Sequence, residues 1–142
     1  MESLHYLLMK SNSLFSKRVL AQLGQIGLTS GQPKVLEFLM QVGEADQKTI
    51  AAYCEIEPAT VGSILLRMED AGLIVRRQKA GNRRSLYVSL TDRGRDAARE
   101  VACLFRSLEA DATVAFAPEE ITQLQELLNK FCTALQPHTE KE

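Results

Sequence analysis

The chain has 142 residues, 45% apolar and 25% charged, enough for one packed core or one fused unit, and no run of about eighteen apolar residues or leader-like segment interrupts it. A soluble, cytoplasmic protein is therefore expected. Two histidines, three cysteines without ligand spacing, no Gly-rich phosphate loop and no nucleophile–histidine motif argue against a metal site, a cofactor or an enzyme. The formal net charge of -1 excludes a globally basic protein, so any polyanion would have to meet a local patch.

The predicted elements begin with a helix over residues 4–23, where Leu4, Leu7, Leu8, Leu14, Phe15 and Val19 share one side. That apolar side is too large for an isolated end helix to leave in water, so it needs a partner. Leu28-Thr29-Ser30 then offers a helix start, followed by Val35, Leu36, Leu39 and Met40 before Gly43 stops the pattern. Asp46 is placed to cap a short helix from Gln47 to Tyr53, with Ile50, Ala51 and Cys54 as its buried stripe.

Pro58 opens the next helix and Gly72 closes it. Val61, Ile64, Leu65, Met68 and Leu73 recur at three- and four-residue steps, which leaves Ala59, Thr60, Ser63 and Arg67 along another face. The period then changes to two. Ile74 to Lys79 and Leu86 to Leu90 read as strands of a hairpin whose tip is residues 80–85. A long amphipathic helix over residues 92–116 carries Ala98, Val101, Phe105, Leu108 and Ala112. Pro118 opens the last helix, with Ile121, Leu124, Leu127, Leu128, Phe131 and Leu135.

This order predicts a mainly α fold with a small β-hairpin, a winged helix-turn-helix over residues 28–91, flanked by helical dimerisation segments over residues 1–27 and 92–142. Charge supports the division. Residues 76–95 hold seven bases (Arg76, Arg77, Lys79, Arg83, Arg84, Arg93, Arg95) against Asp92 alone, a net +6, whereas residues 107–142 hold seven acids against two lysines, a net -5. A basic hairpin on an otherwise acidic chain points to the phosphates of nucleic acid. A protein-interaction winged helix is the alternative, but such a module would carry apolar or aromatic residues at the hairpin tip, and Tyr87 is the nearest aromatic here.

Taken together, the ordered motifs resemble the MarR family of winged-helix transcriptional regulators from Leu28 to Gly94, and the likeness extends over the whole length. They are Leu28-Thr29 with Gln32, Lys48-Thr49-Ile50-Ala51, Met68-Glu69-Asp70-Ala71-Gly72-Leu73-Ile74, Arg76, Asn82-Arg83-Arg84, Val88-Ser89-Leu90-Thr91 and Gly94. The resemblance implies a homodimer whose chain ends interlock, two recognition helices on successive major grooves of a pseudo-palindromic duplex, and a repressor released by a small lipophilic or aromatic effector. It assigns DNA binding to Pro58, Ala59, Thr60, Ser63 and Arg67 of the recognition helix and to Arg76, Arg77, Lys79, Asn82, Arg83 and Arg84 of the hairpin. The family's wing motif, Asp-x-Arg, places the minor-groove arginine at Arg84.

The chain departs from that pattern at two places. Asn82 stands at the aspartate of Asp-x-Arg, and Gly62-Ser63 stand where relatives place Ser and Arg. Tyr6, Phe15 and Phe38 are the aromatic candidates for an effector crevice. Cys54, Cys103 and Cys132 offer a thiol-based redox alternative. Cys54 and Cys103 fall on apolar stripes, which predicts inert burial, and residues 1–24 lack the cysteine that the family's peroxide-sensing branch carries in its first helix.

Overall fold

The computed structural model describes residues 1–137, with the backbone alone described at positions 82–84. Contacts divide the chain into two compact units, Met1–Leu108 and a second that begins at Glu109. The first holds α1 (Leu4–Leu23), a 3-10 turn (Gly24–Ile26), α2 (Gln32–Val42), β1 (Glu44–Asp46), α3 (Gln47–Cys54), α4 (Pro58–Asp70), β2 (Ile74–Lys79), β3 (Asn82–Leu90) and most of α5 (Asp92–Ala112). The second holds α6 (Pro118–Leu135). No helix of the described residues is long and apolar enough to cross a membrane.

The core of the first unit forms where the apolar stripes meet. Val35, Leu36 and Leu39 of α2, Ile50 and Cys54 of α3, and Val61, Leu65 and Met68 of α4 are buried, joined by Ile74, Val88 and Leu90 of the sheet and Ala98, Val101 and Leu108 of α5. The spacing read for α4 is therefore the one its packing uses. Ile64, at the edge of that stripe, is only partly buried.

Several boundaries differ from the sequence reading, each for a local reason. Helix α2 starts at Gln32 rather than Thr29, because Gly31 is left-handed (φ 89°) and the Gln32 carboxamide turns back to accept the Thr29 N–H at 3.1 Å. A three-residue strand, β1, precedes α3 and pairs antiparallel with β3, giving the order β1-β3-β2. β3 begins at Asn82 instead of Leu86, so the turn is Ala80-Gly81, with a ladder irregularity between Gln78 and Lys79. The α5 helix ends at Ala112, four residues short of the expected end.

Thr91 joins the end of α4, the sheet and α5. Its hydroxyl donates to the Gly72 carbonyl at 2.6 Å and accepts the Gly94 N–H at 3.0 Å, while its own N–H donates to the Leu73 carbonyl at 3.1 Å. Gly72 ends α4 as expected, with φ 76° and the Leu73 N–H returning to the Met68 carbonyl at 2.9 Å.

The terminal helices keep their apolar sides in the open. In α1 only Leu23 is buried, and Leu4, Leu7 and Leu14 stay exposed. In α6 no residue is buried, and Leu124, Leu127, Leu128 and Leu135 are exposed.

Candidate nucleic-acid interface

The candidate interface begins at the cap of α3. Asp46 takes the N-cap position with extended backbone and accepts the Thr49 N–H at 2.8 Å. Hydrogen bonds from the Thr49 side chain and then its backbone hold the Asp46 carboxyl below its usual 3.8. A depressed carboxylate stabilises the fold above the ordinary carboxylate range and loses that contribution as pH falls through its folded pKa. Asp46→Ala should cost about 1 kcal/mol at neutral pH. In urea denaturation the gap from wild type should close at acid pH, and a gap that stayed constant would contradict the cap.

Helix α4 follows with its N-terminus open. Pro58, Ala59, Thr60, Ser63 and Arg67 are all exposed. Ala59, Thr60, Ser63 and Arg67 share the face opposite the buried stripe, and Pro58 stands at the helix N-terminus. Leu66, exposed to 52%, lies on the same face and was not selected from sequence. Its signal was present, because position 66 breaks the 61-65-68 spacing.

The hairpin cations prove to be more divided than their crowding suggests. Along β2 they alternate sides, Arg76 opposite Val88 and Arg77 opposite Tyr87. Two acids of the same chain meet part of this charge. Arg76 Nε contacts Glu69 at 3.2 Å, and Lys79 pairs with Glu44 of β1 while lying 4.4 Å over the Tyr87 ring. The Glu44 hydrogen bond, foremost, raises the Lys79 pKa. Arg67 and Arg77 have no ion pair among the described residues. The side chains of Asn82, Arg83 and Arg84 lie outside the described residues.

The aromatic effector candidates are not brought to one place. Phe38 is core, stacked on Tyr53 with ring centroids 4.3 Å apart. Phe15 stacks on Phe105 at 6.2 Å, and Tyr6 stands under the Lys10 ammonium. None of the three lines the 460 Å³ cleft by Met40, Val75 and Arg77, nor the 450 Å³ cleft by Gln22, Arg99 and Cys103.

Among the thiols, Cys54 is buried and burial raises its pKa, as an inert core cysteine requires. Cys103 corrects the sequence reading. It is exposed, with an Arg106 Nη2 donor 3.7 Å from its sulfur, because the buried stripe of α5 runs through positions 94, 98, 101, 104 and 108 and bypasses 103. Cys132 is also exposed.

A helix pair with an open second helix, followed by a basic antiparallel hairpin, defines a winged helix-turn-helix protein. The family model described as the MarR family matches residues 28–86. An HTH-type transcriptional repressor of Mycobacterium tuberculosis is 27% identical over 127 residues, spanning 89% of this chain and 91% of the relative. The homoprotocatechuate degradative operon repressor of Escherichia coli is 32% identical over 109 residues, 73% of this chain and 70% of the relative. The chain belongs to the MarR family of transcriptional regulators.

Two solved structures share its fold. MepR of S. aureus bound to DNA superposes with a TM-score of 0.85 at 23% identity, covering 95% of this chain and 100% of that one. BpsR of Bordetella bronchiseptica, whose DNA binding is regulated by 6-hydroxynicotinic acid, gives 0.82 at 22%, covering 92% and 99%.

Proposed function

We propose that this chain is a cytoplasmic homodimeric repressor that binds a pseudo-palindromic double-stranded DNA operator and leaves it when a small lipophilic or aromatic effector binds. The observation that carries the reading is the open face of α4, where Pro58, Ala59, Thr60, Ser63 and Arg67 are exposed beside a fully buried stripe. A helix with that division can enter a major groove without disturbing its own core. Arg77, Lys79, Asn82, Arg83 and Arg84 follow on the hairpin, and Arg84 is the residue assigned to the minor groove, where narrow width concentrates negative potential.

Dimerisation is supported by the apolar sides that α1 and α6 leave exposed, since a single chain would hold leucines such as Leu4, Leu127 and Leu135 in water. Effector release is supported by the small-molecule regulation of DNA binding in BpsR. The dimerisation segments are residues 1–27 and 92–142, and the reader is residues 28–91.

The test is fluorescence anisotropy on the duplex upstream of the chain's own gene and on a scrambled duplex, at two salt concentrations. Selective, salt-sensitive binding is expected. Arg84→Ala should weaken binding to every sequence and lower the salt slope by about 1, whereas Arg67→Ala should change sequence preference. Equal weak binding of the wild type to both duplexes would overturn the reading in favour of a protein-interaction module.

A further inference from the structure

Helix α4 lacks a side chain at Gly62, and the structure fills that place from another helix. Gln47, the first residue of α3, reaches across to the first turn of α4, where its Nε2 donates to the Pro58 carbonyl at 3.2 Å. A Cβ placed on Gly62 would stand 3.1 Å from that Nε2 and 3.9 Å from the carboxamide carbon. Glycine at position 62 is thus what allows the amide to lie against the helix.

The setting orients the amide. One of its two N–H groups is fixed by Pro58, and neither the other N–H nor Oε1 has a partner among the described residues. Gln47 is half-buried, and no buried side-chain N or O atom lacks a partner among those residues, so the unbonded Oε1 keeps accessible surface. On the helix surface Gly62 neighbours Ala59 and Leu66, three and four residues away, and both are exposed. The amide therefore borders the open face of α4.

That face carries no carboxamide, the group that presents a donor and an acceptor side by side. Ala59 offers a methyl group, and Thr60 and Ser63 offer hydroxyls that bond to either a donor or an acceptor. Arg67 supplies donors only. A carboxamide held by one N–H presents an adjacent donor and acceptor, the pattern that matches N7 and the N6 amino group of adenine in the major groove.

We infer that Gln47 is a specificity-determining residue, which reads an adenine in each half-site beside the bases met by Ala59 and Ser63. The inference rests on the proposed operator binding. It adds a reader from outside the recognition helix, paired with the glycine that makes room for it.

The experiment uses the full chain and a set of operator duplexes in which each base pair is replaced in turn. Wild-type selectivity for operator over scrambled DNA is measured first, and its absence would remove the operator reading together with this inference. With selectivity present, Gln47→Ala should lose about tenfold or more on the wild-type duplex and bind all four pairs equally at one position per half-site, leaving preferences elsewhere intact. Gly62→Ala should relax the same position to a smaller degree, by pushing the amide aside, while its melting temperature does not fall, since alanine favours a helix.

Two results would overturn the assignment. A uniform loss on every sequence with a shallower salt slope would make Gln47 a phosphate contact, and unchanged preference in both variants would make it a strut between helices.

Discussion

Replacing Gly94 by alanine is expected to destabilise the first unit by about 3 kcal/mol or more. A Cβ at this position would lie 2.0 Å from the Leu73 carbonyl oxygen, 3.0 Å from its carbon and 3.2 Å from a methyl carbon of Leu90. The nearest obstacle is backbone, which cannot swing away as a side-chain end can. The same carbonyl accepts the Thr91 N–H, and Gly94 itself donates to the Thr91 hydroxyl. Relief requires the first turn of α5 to withdraw from the junction of α4 and β2, which breaks bonds that leave polar groups unmet. Thermal unfolding followed by circular dichroism should show a melting temperature lower by roughly 10 °C. A variant melting within about 2 °C of wild type would show that the junction is looser than this geometry.

Leu65→Ala is the second large effect. Leu65 is fully buried in the middle of α4, flanked along its stripe by Val61 and Met68, which are also fully buried. Truncation removes buried methyl groups and leaves a void that close-packed neighbours can only partly fill, a loss of about 3 kcal/mol. The adjacent Leu66 supplies the control, because it is half exposed, about 100° around the helix from Leu65. Leu66→Ala should change stability by no more than about 0.5 kcal/mol. Urea titrations of the two variants decide the matter, and comparable losses would mean that α4 is rotated from the orientation described.

The elements most legible in the sequence were those whose information is local. The Asp46 cap, the 61-65-68 stripe, Pro58 at a helix start and Gly72 at a helix end each depend on residues within one or two turns, and each is found in place. The sheet was legible only in part. Strand β1 has three residues, Glu44-Ala45-Asp46, with no alternating apolar pattern, and exists because β3 offers it a ladder. The early start of β3 at Asn82 has the same origin, since pairing with β2 holds residues whose own preference is for a turn.

The candidate interface divides in the same way. Composition alone marked the hairpin as basic, and helical spacing alone placed Ala59, Thr60, Ser63 and Arg67 on one side of α4, because a 3.6-residue period is a property of the chain. Which of those cations meet an acid was decided by the tertiary structure. Arg76 finds Glu69 from α4 and Lys79 finds Glu44 from β1, partners that no spacing rule connects. The exposure of Cys103, the burial of Phe38 and the reach of Gln47 over Gly62 belong to the same class. The sequence by itself determined the helices, their apolar sides and the sign of the hairpin charge, since these follow from periodicity and capping. Only the folded chain decided which side chains remain uncommitted, because an ion pair or a close approach depends on distances between elements that share no local pattern.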